Sequence, residues 1–332
     1  MDEQDRFTYE FSKHKDVLNP SVSKYLINQG FHAEYPDGKK FAVVLTHDID
    51  DVYVKRKHVL LSFRFFPEIK DMHGIMNLLK GNLDKRKSPY MNLKKIVQME
   101  KKYDATSSFY FLANGDDIFG FKYDLDELAD EIGYLIDEGC EIGSHTGYYS
   151  YNKLDEIEKE KQAIEKITGQ KIVGVRNHTL RFRVPESWEI LAKAGFKYDT
   201  SLNYHDMVGF RNGMCHPFQP FNLNEKKTTN ILEIPLIASD IAFRAFMKTD
   251  AVDSWKYLKQ LIDIAEKLNG VLTILWHNWT FSLPTSYSCM FGKEWTELYE
   301  KILNYSYRKN AWITNCRKIW EYYEKTGVLK LD

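Results

Sequence analysis

Phe41-Ala42-Val43-Val44-Leu45-Thr46-His47-Asp48-Ile49-Asp50 begins as an unbroken apolar run and ends in two carboxylates. The five residues Phe41 to Leu45, with paired valines, suit a strand buried on both faces, as in a parallel sheet. Side chains two apart on a strand point the same way. Asp48 and Asp50 therefore emerge together at the carboxyl end of a central strand, the end at which α/β enzymes keep their sites. Two carboxylates facing one cleft repel unless a cation or a proton lies between them. The arrangement suggests a hard or borderline metal, with one Asp as ligand and the other free for base chemistry. The alternative is a polar loop after a strand, with one Asp capping the next helix.

The chain has 332 residues, 43% of them hydrophobic and 28% charged, an ordinary globular balance at a size that α/β barrels reach as one domain. The formal net charge is −1, so no global field argues for nucleic acid or a membrane surface. Cys140, Cys215, Cys289 and Cys316 are scattered, which fits core residues or free thiols of a reducing compartment rather than a disulfide frame. The first residues, Met-Asp-Glu-Gln-Asp-Arg, are acidic where a signal peptide is basic and then apolar. No apolar run approaches the roughly 20 residues that span a bilayer. The cytoplasm is the expected location, and the oligomeric state is not readable.

Residues before Phe41 form a lead-in, with a short helix from Asn19-Pro20 that Gly30 ends. Residues 52–90 fit no simple βα loop and read as a long insertion or lid. It carries two basic clusters, Lys55-Arg56-Lys57-His58 and Lys85-Arg86-Lys87, either a solvated face or a lid that recognises an anionic part of a substrate. Beyond it strands and helices alternate. Helices are expected at Asn92–Tyr103, from an Asp124/Glu127 capping box to Glu138, at Leu154–Ile167 with Gly169 as C-cap, after Pro185 at N1, at Trp255–Leu268 and near Arg317–Lys325. Strands are expected at Thr106–Ala113, Cys140–His145, Ile172–Val175, Lys197–Ser201, Asn230–Leu236, Val271–Trp276 and Trp312–Ile313. This alternation predicts an α/β fold with a mainly parallel sheet in a single domain, residues 1–332.

Polar residues gather just after these strands: Asp48 and Asp50, then Gly143-Ser144-His145-Thr146, Arg176-Asn177-His178, Glu233 with Asp240 beyond, and His277-Asn278. A lone His is usually a satisfied core or surface residue. Histidines at three separate strand ends, together with Asp50, suit a metal that takes N and O ligands and keeps a position open for water.

In the order of these pieces the sequence resembles the polysaccharide deacetylase (NodB-homology, carbohydrate esterase 4) superfamily. The pieces are Thr46-His47-Asp48-Ile49-Asp50, Gly143-Ser144-His145-Thr146, Arg176 and Leu275-Trp276-His277. The likeness runs from about Phe41 to about Phe281. Arg176-Asn177-His178-Thr179-Leu180-Arg181-Phe182, Pro185-Glu186-Ser187-Trp188 and Ala194-Gly195-Phe196-Lys197-Tyr198-Asp199 are similar to a divergent branch found among surface-polysaccharide genes. The resemblance implies a distorted (β/α) barrel over residues 41–332, with one divalent metal, usually Zn²⁺. It implies hydrolysis of an N- or O-acyl group on a carbohydrate substrate. By position, Asp48 is then the general base, Asp50 and His145 are metal ligands, Arg176 holds Asp48, and His277 is the general acid.

One departure matters. The family's second metal histidine falls four residues after the first, where this chain has Tyr149. His178 is the candidate replacement. Asp240 either orients His277 or caps a helix. The expected function is a metal-dependent carbohydrate deacylase. Its rivals are a same-fold amidohydrolase acting on a non-sugar amide and a decayed deacetylase that only binds glycans.

Overall fold

The structure, a computed structural model, describes residues 1–56, 59, 60, 63, 72–113, 118, 120, 123–282 and 292–327. Strand β1 (Ala42–Ile49) lies at the centre with every residue buried. Around it stand β2 (Ser108–Leu112), β3 (Glu141–Thr146), β4 (Gly174–Asn177), β5 (Tyr198–Asp199), β6 (Leu232–Glu233), β7 (Leu236–Ser239), β8 (Val271–Leu275) and β9 (Trp312–Thr314). The order is β6-β5-β4-β3-β2-β1-β8-β7, with β9 beside the first residues of β1. Every pairing in this sheet is parallel. A short antiparallel ribbon, Phe221–Asn222 with Lys227–Thr228, stands apart.

Parallel neighbours need crossovers, and helices supply most of them. The helices are α1 (Ser21–Asn28), before the first strand, α2 (Met72–Leu83), α3 (Leu93–Lys101), α4 (Ala129–Asp137), α5 (Leu154–Thr168), α6 (Glu186–Lys193), α7 (Ala251–Lys267), α8 (Lys293–Arg308) and α9 (Cys316–Thr326), after the last strand. The sheet curls with the helices outside it, giving a distorted (β/α) barrel. Gly169 ends α5 in the left-handed conformation, as its position predicts. No helix among the described residues is long and apolar enough to cross a membrane.

The expected strand at Asn230–Leu236 divides. Pro235 has no N–H for a ladder. The residues before it pair with β5 and those after it with β8, so this one segment joins the two ends of the sheet. Asp124 and Glu127 form no capping box. Asp124 caps a single 3₁₀ turn through the Asp126 N–H, while Glu127 accepts from Lys85. Pro185 stands at the N-cap of α6 rather than at N1. In the second basic cluster, Lys85 pairs with Glu127, and Arg86 and Lys87 pair with Asp84. Lys55 of the first cluster pairs with Asp51, whereas Lys57 and His58 lie outside the described residues.

Below the barrel mouth the interior is filled by two tyrosines, whose hydroxyls meet at 2.9 Å. They lie over glycines. A Cβ on Gly143 would stand 2.4 Å from the Tyr110 ring, and one on Gly174 would stand 2.0 Å from the Tyr198 hydroxyl. Gly174→Ala is therefore expected to lower stability by about 1–3 kcal/mol through overpacking. Denaturant titration measures this, and an unchanged midpoint would mean that Tyr198 moves aside freely.

Candidate active site

The strands place their polar ends together. Asp48 ends β1 with Asp50 just after it, His145 is in β3, His178 follows β4, Asp240 follows β7 and His277 follows β8. All six are buried. A cavity of about 260 Å³ is lined by Asp48, Asp50, His145, His178 and His277, with Arg6, His205 and several apolar residues completing its wall. A wider groove of about 790 Å³ near Tyr53 and Lys85 includes none of these strand-end histidines or aspartates.

His145 Nδ1 lies 2.9 Å from the Arg176 carbonyl. A carbonyl only accepts, so that nitrogen carries the proton, and in the neutral ring Nε2 presents its lone pair. Nε2 is 2.9 Å from His178 Nδ1 and 3.3 Å from Asp50 Oδ1, and His178 Nδ1 is 3.5 Å from the same oxygen. The three donor atoms lie within 4.8 Å of one another. Asp50 Oδ1 is buried with no hydrogen-bond partner. Burial opposes its charge, yet His178, His145 and His277 hold Asp50 well below the ordinary carboxylate range. One carboxylate oxygen and two imidazole nitrogens converging in a dry place fit a divalent cation of borderline hardness. Tyr149 does not line this cavity and is 50% exposed.

Arg176 lies beneath, fully buried. Its Nη1 donates to Thr46 Oγ1 at 2.7 Å and to Asp48 Oδ1 at 2.9 Å. Its Nε and Nη2 donate to the Thr200 carbonyl and hydroxyl, and its guanidinium rests 4.8 Å from the Tyr110 ring centre. Such a pair survives burial only because all three nitrogens are satisfied. The other Asp48 oxygen stands 3.7 Å from His145 Nε2, facing the donor cluster.

Across the cavity, His277 Nδ1 meets Asp240 Oδ1 at 2.7 Å, and the His277 N–H donates to Asp240 Oδ2 at 2.8 Å. The Thr280 hydroxyl also donates to Oδ2. Asp240 Oδ1 further accepts from the adjacent Ile241 N–H, while Ser239 Oγ takes the Ala242 N–H, so Asp240 orients His277 rather than capping the next turn. Burial lowers the His277 pKa, but the Asp240 carboxylate more than offsets this and raises it to about 9. His277 Nε2 is 3.6 Å from Asp50 Oδ2, and Trp279 stacks on the ring at 4.6 Å. His47 points to the opposite face of β1. There it bonds the Trp276 carbonyl and Glu100, anchoring the strand end that carries His277.

Arg6, His205, Phe246 and Trp279 also line the cavity and carry no strand-end signal in the sequence.

No protein-family model matches the chain, and no curated protein matches it. Solved structures do. A protein from Mycobacterium smegmatis assigned as a polysaccharide deacetylase superposes with a TM-score of 0.59 at 16% identity, over 89% of this chain and 94% of that one. A carbohydrate esterase 4 family pseudoenzyme from Bacillus anthracis gives 0.42 at 15% identity, over 86% and 66%. A family 4 carbohydrate esterase from Streptomyces lividans gives 0.40 at 8%, over 82% and 91%. On the first of these likenesses, the fold of this chain is that of the polysaccharide deacetylases.

Proposed function

We propose that the chain is a hydrolase that uses one divalent ion to remove an N- or O-acyl group from a sugar or glycoconjugate precursor. The observation that carries the reading is the Asp50–His145–His178 donor set, flanked by Asp48 on Arg176 and faced by His277 on Asp240. Asp50 Oδ1, His145 Nε2 and His178 Nδ1 would hold the ion, with Zn²⁺ the best match to two imidazoles and a carboxylate. When bound, such an ion polarises an acyl carbonyl and acidifies water.

The chain's own residues do the rest. Asp48 accepts the proton of the attacking water at Oδ2, the oxygen that faces the donor set. Arg176 donates to Oδ1 and holds the carboxylate turned with Oδ2 toward the donor set. His277 delivers a proton from Nε2 to the leaving nitrogen or oxygen. Asp240 fixes the ring and stabilises its imidazolium from the Nδ1 side. A binding site for glycans alone needs neither buried pair, which favours a hydrolase over a decayed binder.

The test is acetate release from N- and O-acetylated sugars by zinc-reloaded protein. A protein that binds no divalent ion, releases no acetate and still binds glycans would overturn the reading. A second expectation separates the acid from a structural histidine. His277→Ala lowers kcat more on amides than on activated esters, whose leaving groups need less protonation. Equal losses on both would make His277 structural or a ligand.

A further inference from the structure

We infer that the cavity has a second end, formed by Arg6 and His205, that recognises a negatively charged group on the acylated sugar. The inference takes the substrate class from the proposed deacylase function and adds the charge.

Arg6 belongs to the lead-in, yet it lines the same cavity as the strand-end residues. The segment around it is tightly built. Asp2 Oδ1 accepts from the Gln4 and Arg6 N–H groups, both at 2.9 Å, and Asp2 Oδ2 accepts from Arg6 Nε at 2.7 Å. The loop after β4 fastens the segment. Arg181 Nε donates to the Gln4 carbonyl and the Phe182 N–H to the Asp5 carbonyl, both at 2.9 Å, while Arg183 and the Tyr151 hydroxyl hold the Asp5 carboxylate. Further on, the Tyr9 N–H donates to Asp206 Oδ1, beside His205. The segment thus bridges the loop bearing His178 and the loop bearing His205.

Both side chains keep capacity in reserve. Asp2 Oδ2 holds Arg6 through both Nε and Nη2, each at 2.7 Å, and among the described residues Nη1 makes no hydrogen bond; the side chain is 19% exposed. His205 packs edge-on against Phe246, and its Nδ1 is buried without a hydrogen-bond partner, 3.9 Å from Asp206. Ile241, Leu275 and Phe246 add apolar surface to the same cavity. A neutral sugar leaves these donors unpaired, and desolvated donors without partners disfavour binding. A carboxylate or phosphate oxygen matches the open edge of a guanidinium, which is why arginine recognises both.

The experiment is calorimetric titration of the full chain, zinc-free and zinc-loaded, with glucosamine, glucosamine 6-phosphate and muramic acid. All three share the ammonium, and the zinc-free wild-type protein is expected to bind one acid-bearing sugar about ten-fold or more tighter than glucosamine; which one it is separates phosphate from carboxylate. Arg6→Ala brings that ratio to about one, and Arg6→Lys retains part of it. Equal binding of glucosamine and the acid-bearing sugars, a ratio that survives Arg6→Ala, a preference seen only with zinc, or no measurable binding of either acid-bearing sugar overturns the inference. The titration needs no turnover. A preference that depends on Arg6 in a protein that releases no acetate would refute the deacylase reading and leave the anion site standing.

Discussion

Asp48→Asn is expected to lower deacylation by about 100-fold or more, the usual size of a lost general base, with metal content unchanged. Asn is nearly isosteric but cannot take a proton from water. The proposed metal donors are on Asp50, His145 and His178, and Asp48 Oδ2 stands 3.7 Å from His145 Nε2. The ion therefore has no reason to leave. Arg176 keeps its bonds to Thr46 and Thr200 but loses its buried counter-charge. Breaking a buried pair in this way costs on the order of 3–5 kcal/mol of stability. Rate, metal content and folded fraction must be read on one preparation. Unchanged turnover excludes Asp48 as base, and lost metal would place it among the ligands.

His178→Ala should cut metal affinity by orders of magnitude, whereas Tyr149→Phe should leave it nearly as it is. A catalytic zinc commonly has three protein ligands and an open position. His178 offers an imidazole nitrogen 2.9 Å from His145 Nε2 and 3.5 Å from Asp50 Oδ1. A tyrosine would have to ionise from a pKa near 10 to compete. Tyr149 is also turned toward solvent, 50% exposed, with its ring edge against Tyr148. Competition titrations with a chromogenic chelator rank the two variants. The reverse order would remove His178 from the site and put Tyr149 into it.

The parts of the fold visible in the sequence are those set by local physics. An apolar run without alternation marks β1 because both of its faces are covered. Period two puts Asp48 and Asp50 on one side of it. Glycine marks the end of α5 because the C-cap there is left-handed, a conformation glycine adopts without strain. The hold of Asp240 on His277 is not local. Its two oxygens meet the His277 ring, the His277 N–H and the Thr280 hydroxyl, and only the meeting of β7 with β8 brings those together. Helix α8 is absent from the sequence reading although Trp295, Leu298, Tyr299, Ile302 and Leu303 follow helical spacing and are buried. Arg6 was invisible for a different reason. Its position depends on bonds from Arg181 and Phe182, and no periodicity in an irregular lead-in announces a partner that far along the chain.

Zinc titration of chelator-treated protein, with hydrolysis of 4-nitrophenyl acetate followed at each addition, tests the metal-dependent hydrolase most directly. One ion per chain should bind, and hydrolysis should rise in step with occupancy. Both should fail in His178→Ala and Asp50→Asn. Hydrolysis that ignores occupancy, or a wild-type chain that takes up no zinc, contradicts the account.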